Sequence, residues 1–366
     1  MRLISLSLEQ VRSYERLKLD LTGSLRQVFI GPNGSGKTNL IEAISFLSWG
    51  RSCLRSPAED VLRFGEEFFR IRADGTLDDG TAKSFEYVWQ RSPRRQSATF
   101  LSDIRTPLLQ FIGALMTVVF LPEDLGLFSG APSQRRGFLD ALLCQVAGDY
   151  AALRVEYERL LKQRNALLQR IAKGESGKQE LSLWDEQLAV SAAEIQRRRL
   201  KIVATFSSHL PEAISSLGEE GKDAKMVYER RTTLEESSAL AEEFRTLFEA
   251  SHDRDLLIGS TSVGPHRDDW HIVLRGRRLE QFASRGQQRA CFLALLLVSA
   301  RILEEARSER PIILLDDVLS ELDDHHQAAL LDSLRNHQVL ITSTHTVPLA
   351  DDVVLWNVGQ GKLKKV

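Results

Sequence analysis

A chain of 366 residues has room for one large or two ordinary domains, and 43% hydrophobic with 27% charged residues is a globular composition able to bury a substantial core. Lysine and arginine number 48 against 50 aspartates and glutamates, a net charge of -2, so a nucleic-acid contact must come from a local patch and not from the molecule as a whole. Cys53, Cys144 and Cys291 are far apart without C-x-x-C spacing, no signal-peptide core is visible, and no apolar run, the one that includes 293–298 among them, is long enough to span a bilayer; the expectation is a cytoplasmic protein with no cysteine metal knuckle and no membrane partner.

Ile4, Leu6 and Leu8 alternate with Ser5 and Ser7, the period of a half-buried strand. Val28, Phe29 and Ile30 predict a second strand, followed at once by G-P-N-G-S-G-K-T at 31–38 and a helix-forming run from Asn39. Strand, glycine-rich loop and helix in that order give a G-x-x-x-x-G-K-[ST] string its meaning as a phosphate-binding loop. Gly31, Gly34 and Gly36 let the backbone curl around Pro32, Asn33 and Ser35 with its N–H groups inward, and the helix start favours an anion. Lys37 is expected to reach the β- and γ-phosphates and Thr38 to ligate Mg²⁺.

Strand-like runs at 68–72, 84–89 and 98–101, with turn signals between them, predict an antiparallel meander. Residues 116–120 read as a short buried strand, after which the chain turns helical. Apolar stripes from Leu153 to Ile171 and from Leu181 to Phe206, separated by a glycine-containing break, predict two antiparallel helices over about 150–207, an arm of roughly 30 Å. Past Pro211 a helix is expected over 235–257, a strand at 271–274, an apolar helix at 286–303, a fully apolar strand at 311–315, a helix at 324–334 and a strand at 338–341. The last four are βαβ grammar resuming the sheet begun at residue 28. The expected organisation is a discontinuous domain, 1–110 with 250–366, around a mainly helical arm domain, 111–249.

Four apolar residues at 312–315 end in Asp316 and Asp317, the form of a strand that delivers a carboxylate to the Mg²⁺ of a phosphate-loop ATPase. Asp316 is expected to hold the metal and Asp317 to polarise the attacking water. Ser284, Gly286 and Gln287 open the helix at 286–303 with an S-x-G-Q string; Ser284 Oγ, the backbone N–H of Gly286 and the helix terminus suit a γ-phosphate, and equally suit a plain N-cap. Ser320 to Asp323 read S-E-L-D, and His345 follows the strand at 338–341.

The order phosphate loop, S-x-G-Q signature, paired acids, S-E-L-D and histidine resembles the ABC superfamily. G-P-N-G-S-G-K-T-N through Asn39, P-E-D-L at 122–125 with R-R-G-F-L-D at 135–140, G-P-H-R-D-D at 264–269 and L-D-D-V-L-S-E-L-D at 315–323 resemble the RecF family of bacterial recombination mediators. The resemblance implies an α/β fold, an ABC-type ATPase head with a mixed sheet, a phosphate loop and an antiparallel β meander, carrying an inserted helical arm like a shortened SMC-type coiled coil. It also implies ATP and Mg²⁺ as cofactors and an ATP-bound head-to-tail homodimer in which Ser284, Gly286 and Gln287 of one copy complete the site of the other. Ser320 and Asp323 take the place of the D-loop and His345 that of the switch histidine. The function so implied is ATP-dependent binding of double-stranded or gapped DNA in recombinational repair, slow ATP hydrolysis, and assistance with RecO and RecR in loading the RecA recombinase. Asp317 departs from the glutamate most ABC-type ATPases carry, and either Gln110 or the acidic segment 122–124 stands in for the superfamily's Q-loop glutamine.

Candidate DNA contacts are the basic clusters at Arg91, Arg94 and Arg95, at Arg135 and Arg136, and at Arg275, Arg277 and Arg278. Preferred over these are Arg197, Arg198, Arg199 and Lys201, which a dimer would place on two arm helices around one duplex. The alternatives are the ATPase subunit of an ABC transporter, against which the interrupted head argues, and a small-molecule kinase, which would leave the Ser284 signature without a purpose.

Overall fold

The computed structural model describes residues 1–345, 352–359 and 361–366. In chain order β1 (Arg2–Val11) and β2 (Tyr14–Asp20) are followed by β3 (Arg26–Ile30), α1 (Lys37–Trp49), β4 (Phe68–Thr76), β5 (Ala82–Gln90), β6 (Gln96–Leu101), β7 (Ile104–Thr106) and β8 (Thr117–Phe120). Then come α2 (Pro132–Val146), α3 (Tyr150–Ala172), α4 (Leu181–Ser216), β9 (Lys225–Glu229), α5 (Ser237–Ala250), α6 (His252–Ile258), β10 (Asp269–Leu274) and β11 (Arg277–Arg278). The chain closes with α7 (Arg285–Arg307), β12 (Ile312–Asp316), α8 (Asp324–Ser333), β13 (Val339–Ser343), β14 (Val354–Gly359) and β15 (Lys362–Lys365).

Two compact units result, Met1–Leu125 with Glu212–Lys222 and Ser284–Val366, and Gly126–Pro211 with Asp223–Ala283. In the first, an antiparallel sheet runs β2-β1-β4-β5-β6-β7 and a second sheet runs β15-β14-β3-β13-β12-β8. All neighbours in the second are parallel except β14 and β15. Strands buried on both faces favour apolar residues, which is why β8, β12 and β13 carry the apolar runs 118–120, 312–315 and 339–341, with their buried polar residues only at the strand ends. Helix α1 is buried almost along its whole length. Its Leu40, Ile44 and Leu47 share one core with Phe29, Leu314 and Leu340 of the parallel sheet and with Leu6, Ile71 and Phe85 of the antiparallel one. The helix that follows the glycine-rich loop is thus held by both sheets.

The boundaries differ from the expected 110/111 and 249/250. Residues 111–125 group with the first unit because β8 extends the parallel sheet, pairing with β12 from Thr117 opposite Ile312 to Phe120 opposite Leu315. Residues 250–283 group with the second unit because β10 pairs with β9, which the composition had not suggested as a strand.

In the second unit α3 and α4 run antiparallel, tied at one end by Arg198 to Asp149 and at the other by Arg164 to Asp185. Helix α4 is 36 residues long and continues through Pro211, about 54 Å at 1.5 Å per residue and longer than expected. The helix expected over 235–257 is two helices broken at Ser251, whose Oγ donates back to the Leu247 carbonyl. The G-P-H-R-D-D and R-R-G-F-L-D strings prove to be each other's partners: Arg135 forks onto Asp269 with both bonds at 2.7 Å, and Arg136 donates to the Asp268 carbonyl. Burial pushes His266 down to about 4, so the ring is neutral, accepting from the Tyr157 hydroxyl at Nδ1 and donating from Nε2 to the Thr261 carbonyl.

Candidate nucleotide site

The loop between β3 and α1 turns through left-handed residues, with φ +78° at Gly34 and +107° at Gly36. At Gly36 that φ favours glycine, and a Cβ would also lie 2.6 Å from Ser13 Oγ, which would have to move. Lys37 is buried and folds back on the loop, its ammonium donating to the carbonyls of Gly31 at 2.7 Å and Pro32 at 3.0 Å. Burial lowers its pKa, countered by the negative charges of Asp317 and Asp316.

Thr38, one residue into α1, meets the end of β12. Its hydroxyl lies 2.9 and 3.0 Å from the two carboxylate oxygens of Asp316, which also accepts from Thr342 Oγ1 on β13. Burial pushes the Asp316 carboxyl up, the Thr342 and Thr38 hydroxyls oppose it, and the charges of Asp317 and Glu123 add to it. A hydroxyl and a carboxylate at hydrogen-bonding distance, both hard oxygen donors, fit Mg²⁺. Asp317 has left-handed backbone, φ +47°, fixed by its N–H, which donates to the carbonyl and the hydroxyl of Thr342. Two buried oxygens here have no hydrogen-bond partner, Ser35 Oγ and Asp317 Oδ1. An orphaned hydroxyl in the loop and an orphaned carboxylate oxygen beside the candidate metal donors are groups that a phosphate and a water would satisfy.

Ser284 caps α7 in a reciprocal box, its Oγ accepting from Gln287 N–H while Gln287 Oε1 accepts from Ser284 N–H. Ser284 and Gly286 are exposed, so the cap leaves this terminus open to a partner. Ser320 is exposed and donates to the Asp317 carbonyl, and Asp323 caps α8 by accepting from His326 N–H. His345 is exposed just past β13, its backbone held by Ser343 Oγ. Asn39 donates to Ser13 Oγ, a bond internal to the loop's surroundings.

Of the two Q-loop substitutes, Gln110 is exposed on a one-turn helix, whereas Glu123 contributes to the field at Asp316. Its neighbour Asp124 accepts from Leu121 N–H, and burial raises it from 3.8 to about 6, against that N–H and the charge of Arg55. A raised folded-state value means the cost of ionising Asp124 is absent below about pH 4 and fully present above about 6. Asp124→Asn keeps the acceptor and should stabilise the protein at pH 8 by on the order of 1–3 kcal/mol, a gain that shrinks to nothing toward pH 4. Melting curves that shift equally at both pH values would refute this.

The expected DNA cluster is largely used up. Arg199 is 4% exposed, forks onto Asp140 with two 2.9 Å bonds and donates to the Pro265 carbonyl at 2.6 Å, so it is a core residue and not a DNA contact. Arg198 is paired with Asp149 and Glu194, and Arg197 with Glu194, leaving Lys201 exposed. Ser13 and Tyr14 went unnoticed in the sequence; Tyr14 is fully buried and its hydroxyl donates to the Gly36 carbonyl, although it lies out of step with the buried Leu17 and Leu19 of β2, so the alternation of that strand gives no sign of it.

A family model described as the RecF/RecN/SMC N-terminal domain matches residues 2–361. A protein of Heliobacterium modesticaldum named DNA replication and repair protein RecF is 35% identical over 348 residues, 94% of this chain and 93% of its own. The chain belongs to the RecF family. A RecF of Streptococcus equi subsp. zooepidemicus is 33% identical over 98% of this chain and 96% of its own. The solved structure of a recombination mediator protein RecF with ATP, of the RecFOR pathway, matches with a TM-score of 0.92 at 29% identity, covering 100% of this chain and 97% of that one. An Smc head bound to the C-winged helix domain of ScpA shares the fold alone, at TM-score 0.55 and 14% identity. The architecture is therefore that of an ABC-type ATPase head in its RecF and SMC form. Among the described residues no helix is long and apolar enough to cross a membrane.

Proposed function

We propose that this member of the RecF family is an ATP-driven DNA-binding switch of recombinational repair in the cytoplasm. The observation that carries the reading is the direct bond of Thr38 to Asp316 beside a lysine parked on the loop's own carbonyls. In this mechanism Lys37 exchanges those carbonyls for the β- and γ-phosphates, and Ser35 Oγ donates to a phosphate oxygen. Thr38 and Asp316 would hold Mg²⁺, which would neutralise phosphate charge. Asp317 Oδ1 accepts the proton of the attacking water, its shorter reach keeping turnover slow, and His345 senses the γ-phosphate.

Ser284 and the Gly286 N–H of a second copy close the site, with Gln287 holding their helix start and Ser320 and Asp323 lining the interface. ATP thus favours a head-to-tail dimer that clamps double-stranded or gapped DNA, and hydrolysis releases it. RecO and RecR are the partners for which the family argues, with loading of RecA as the outcome.

Sedimentation of the full chain with and without ATP and duplex DNA tests this. ATP should shift wild type from monomer to dimer and raise its affinity for DNA, while Ser284→Arg stays monomeric yet still binds ATP. A wild type that remains monomeric with saturating ATP, or a Ser284→Arg variant that dimerises normally, defeats the proposal.

A further inference from the structure

Strands β14 and β15 carry none of the residues given a role above, yet they pack on the phosphate loop directly at Gly31 and, through Ser13, reach its other end. We propose that this strand pair is a positioning element that holds the loop's backbone in its phosphate-binding form, acting through Val358 on Gly31 and through Gly361 on Ser13. The inference rests on the nucleotide reading of the site.

Strand β14 lies parallel to β3 with Asn357 opposite Ile30, which brings Val358 alongside Gly31. The Val358 carbonyl takes the space a side chain would need: a Cβ on Gly31 would lie 2.3 Å from that oxygen. Register is locked by Trp356, whose indole N–H donates to Gln27 Oε1 at 2.8 Å and whose ring stacks on Phe29. At the other end of the loop the contact is indirect. Gly361, at φ +71°, sits so close to Ser13 that a Cβ would fall 2.3 Å from the Ser13 carbonyl oxygen. Ser13 in turn faces Gly36, as described, and holds Asn39 through a 3.1 Å bond.

The brace matters most once nucleotide is bound. Lys37 now secures Gly31 and Pro32 by donating to their carbonyls. When its ammonium turns to the phosphates, Gly31 is left with its backbone bond to the Ser343 carbonyl, at 3.3 Å, and with the wall formed by Val358. A loop prevented from relaxing at that moment keeps its N–H groups aimed inward, and binding loses nothing to reordering the backbone.

Titration of full-length protein with a fluorescent ATP analogue, alongside thermal melting without nucleotide, tests the proposal in three variants. Gly361→Ala adds a Cβ against Ser13 at a strained φ. Gly361→Asn adds the same Cβ but tolerates the left-handed backbone, so it remains informative if the alanine variant folds poorly. Gly359→Ala, on the same strands with open space around its Cα, is the control. Both Gly361 variants should bind at least about tenfold more weakly, with Gly361→Asn melting near wild type, and Gly359→Ala should bind as wild type does. Wild-type affinity in Gly361→Asn, or equal weakening in Gly359→Ala, overturns the positioning role. A wild type that binds no analogue at all overturns the nucleotide reading instead.

Discussion

Asp317→Asn is expected to bind ATP and dimerise as wild type does while its turnover falls by a factor on the order of 10²–10⁴, the usual contribution of a positioned proton acceptor. The geometry makes this substitution unusually clean. Asp317 sits at φ +47°, a conformation asparagine adopts more readily than most residues, so the backbone need not move. Its anchoring uses the main chain, through the N–H bonds to Thr342, and Ser320 Oγ donates to its carbonyl; none of these is lost in the amide. What changes is the carboxylate, whose buried Oδ1 has no partner within the protein. Single-turnover hydrolysis beside equilibrium ATP binding reads the two effects separately, and DNA residence time should lengthen in proportion to the lost turnover. Loss of ATP binding to the same extent as loss of turnover would assign Asp317 to nucleotide binding and not to the chemistry.

Arg199→Ala should destabilise the second unit by about 3–5 kcal/mol, because it strands the Asp140 carboxylate in the interior. Asp140 is 3% exposed and accepts both arms of the Arg199 fork as well as the Tyr150 hydroxyl at 2.6 Å. Burial alone would raise its pKa, but the charge and hydrogen bonds of Arg199, with help from Arg154 and Tyr150, hold it below the usual carboxylate range. A depressed folded-state value is stability present at neutral pH and lost as the pH falls through the acidic range, so the deficit of the variant should narrow on acidification. Urea unfolding at pH 7 and pH 4 measures both. The double variant Arg199→Ala, Asp140→Asn should recover part of the loss, since it removes the stranded charge. A cost below about 1 kcal/mol would mean that the pair behaves as a surface ion pair. Lys201→Ala provides the contrast: exposed, it should leave stability unchanged, and any effect it has should appear in duplex binding.

The parts of the site that could be read in advance are those in which chemistry and local structure lie in one stretch of chain. Lys37 and Thr38 follow three glycines that only a curled loop explains, and Asp316 and Asp317 end a strand too apolar to lie anywhere but in the middle of a sheet. The S-x-G-Q string could be placed on a helix start, and the structure shows the capping box that such a string forms. Residues 197–201 misled because a basic run has the same composition whether it faces solvent or carboxylates. Asp149 and Asp140, 49 residues before Arg198 and 59 before Arg199, settle that, and spacing along α4 could not identify them.

The glycine-rich loop, the acids at the end of an apolar strand and the βαβ order were legible in the sequence alone, because each depends on neighbours within a few residues and on the period of the apolar positions. Tertiary structure alone decided where the units divide, since that turns on β8 choosing β12 and β10 choosing β9 as partners across long separations. It alone decided that Thr38 and Asp316, 278 residues apart, share a hydrogen bond. It alone set the carbonyl of Val358 against Gly31 and turned Arg199 inward, because a backbone wall and a buried ion pair exist only where distant segments meet.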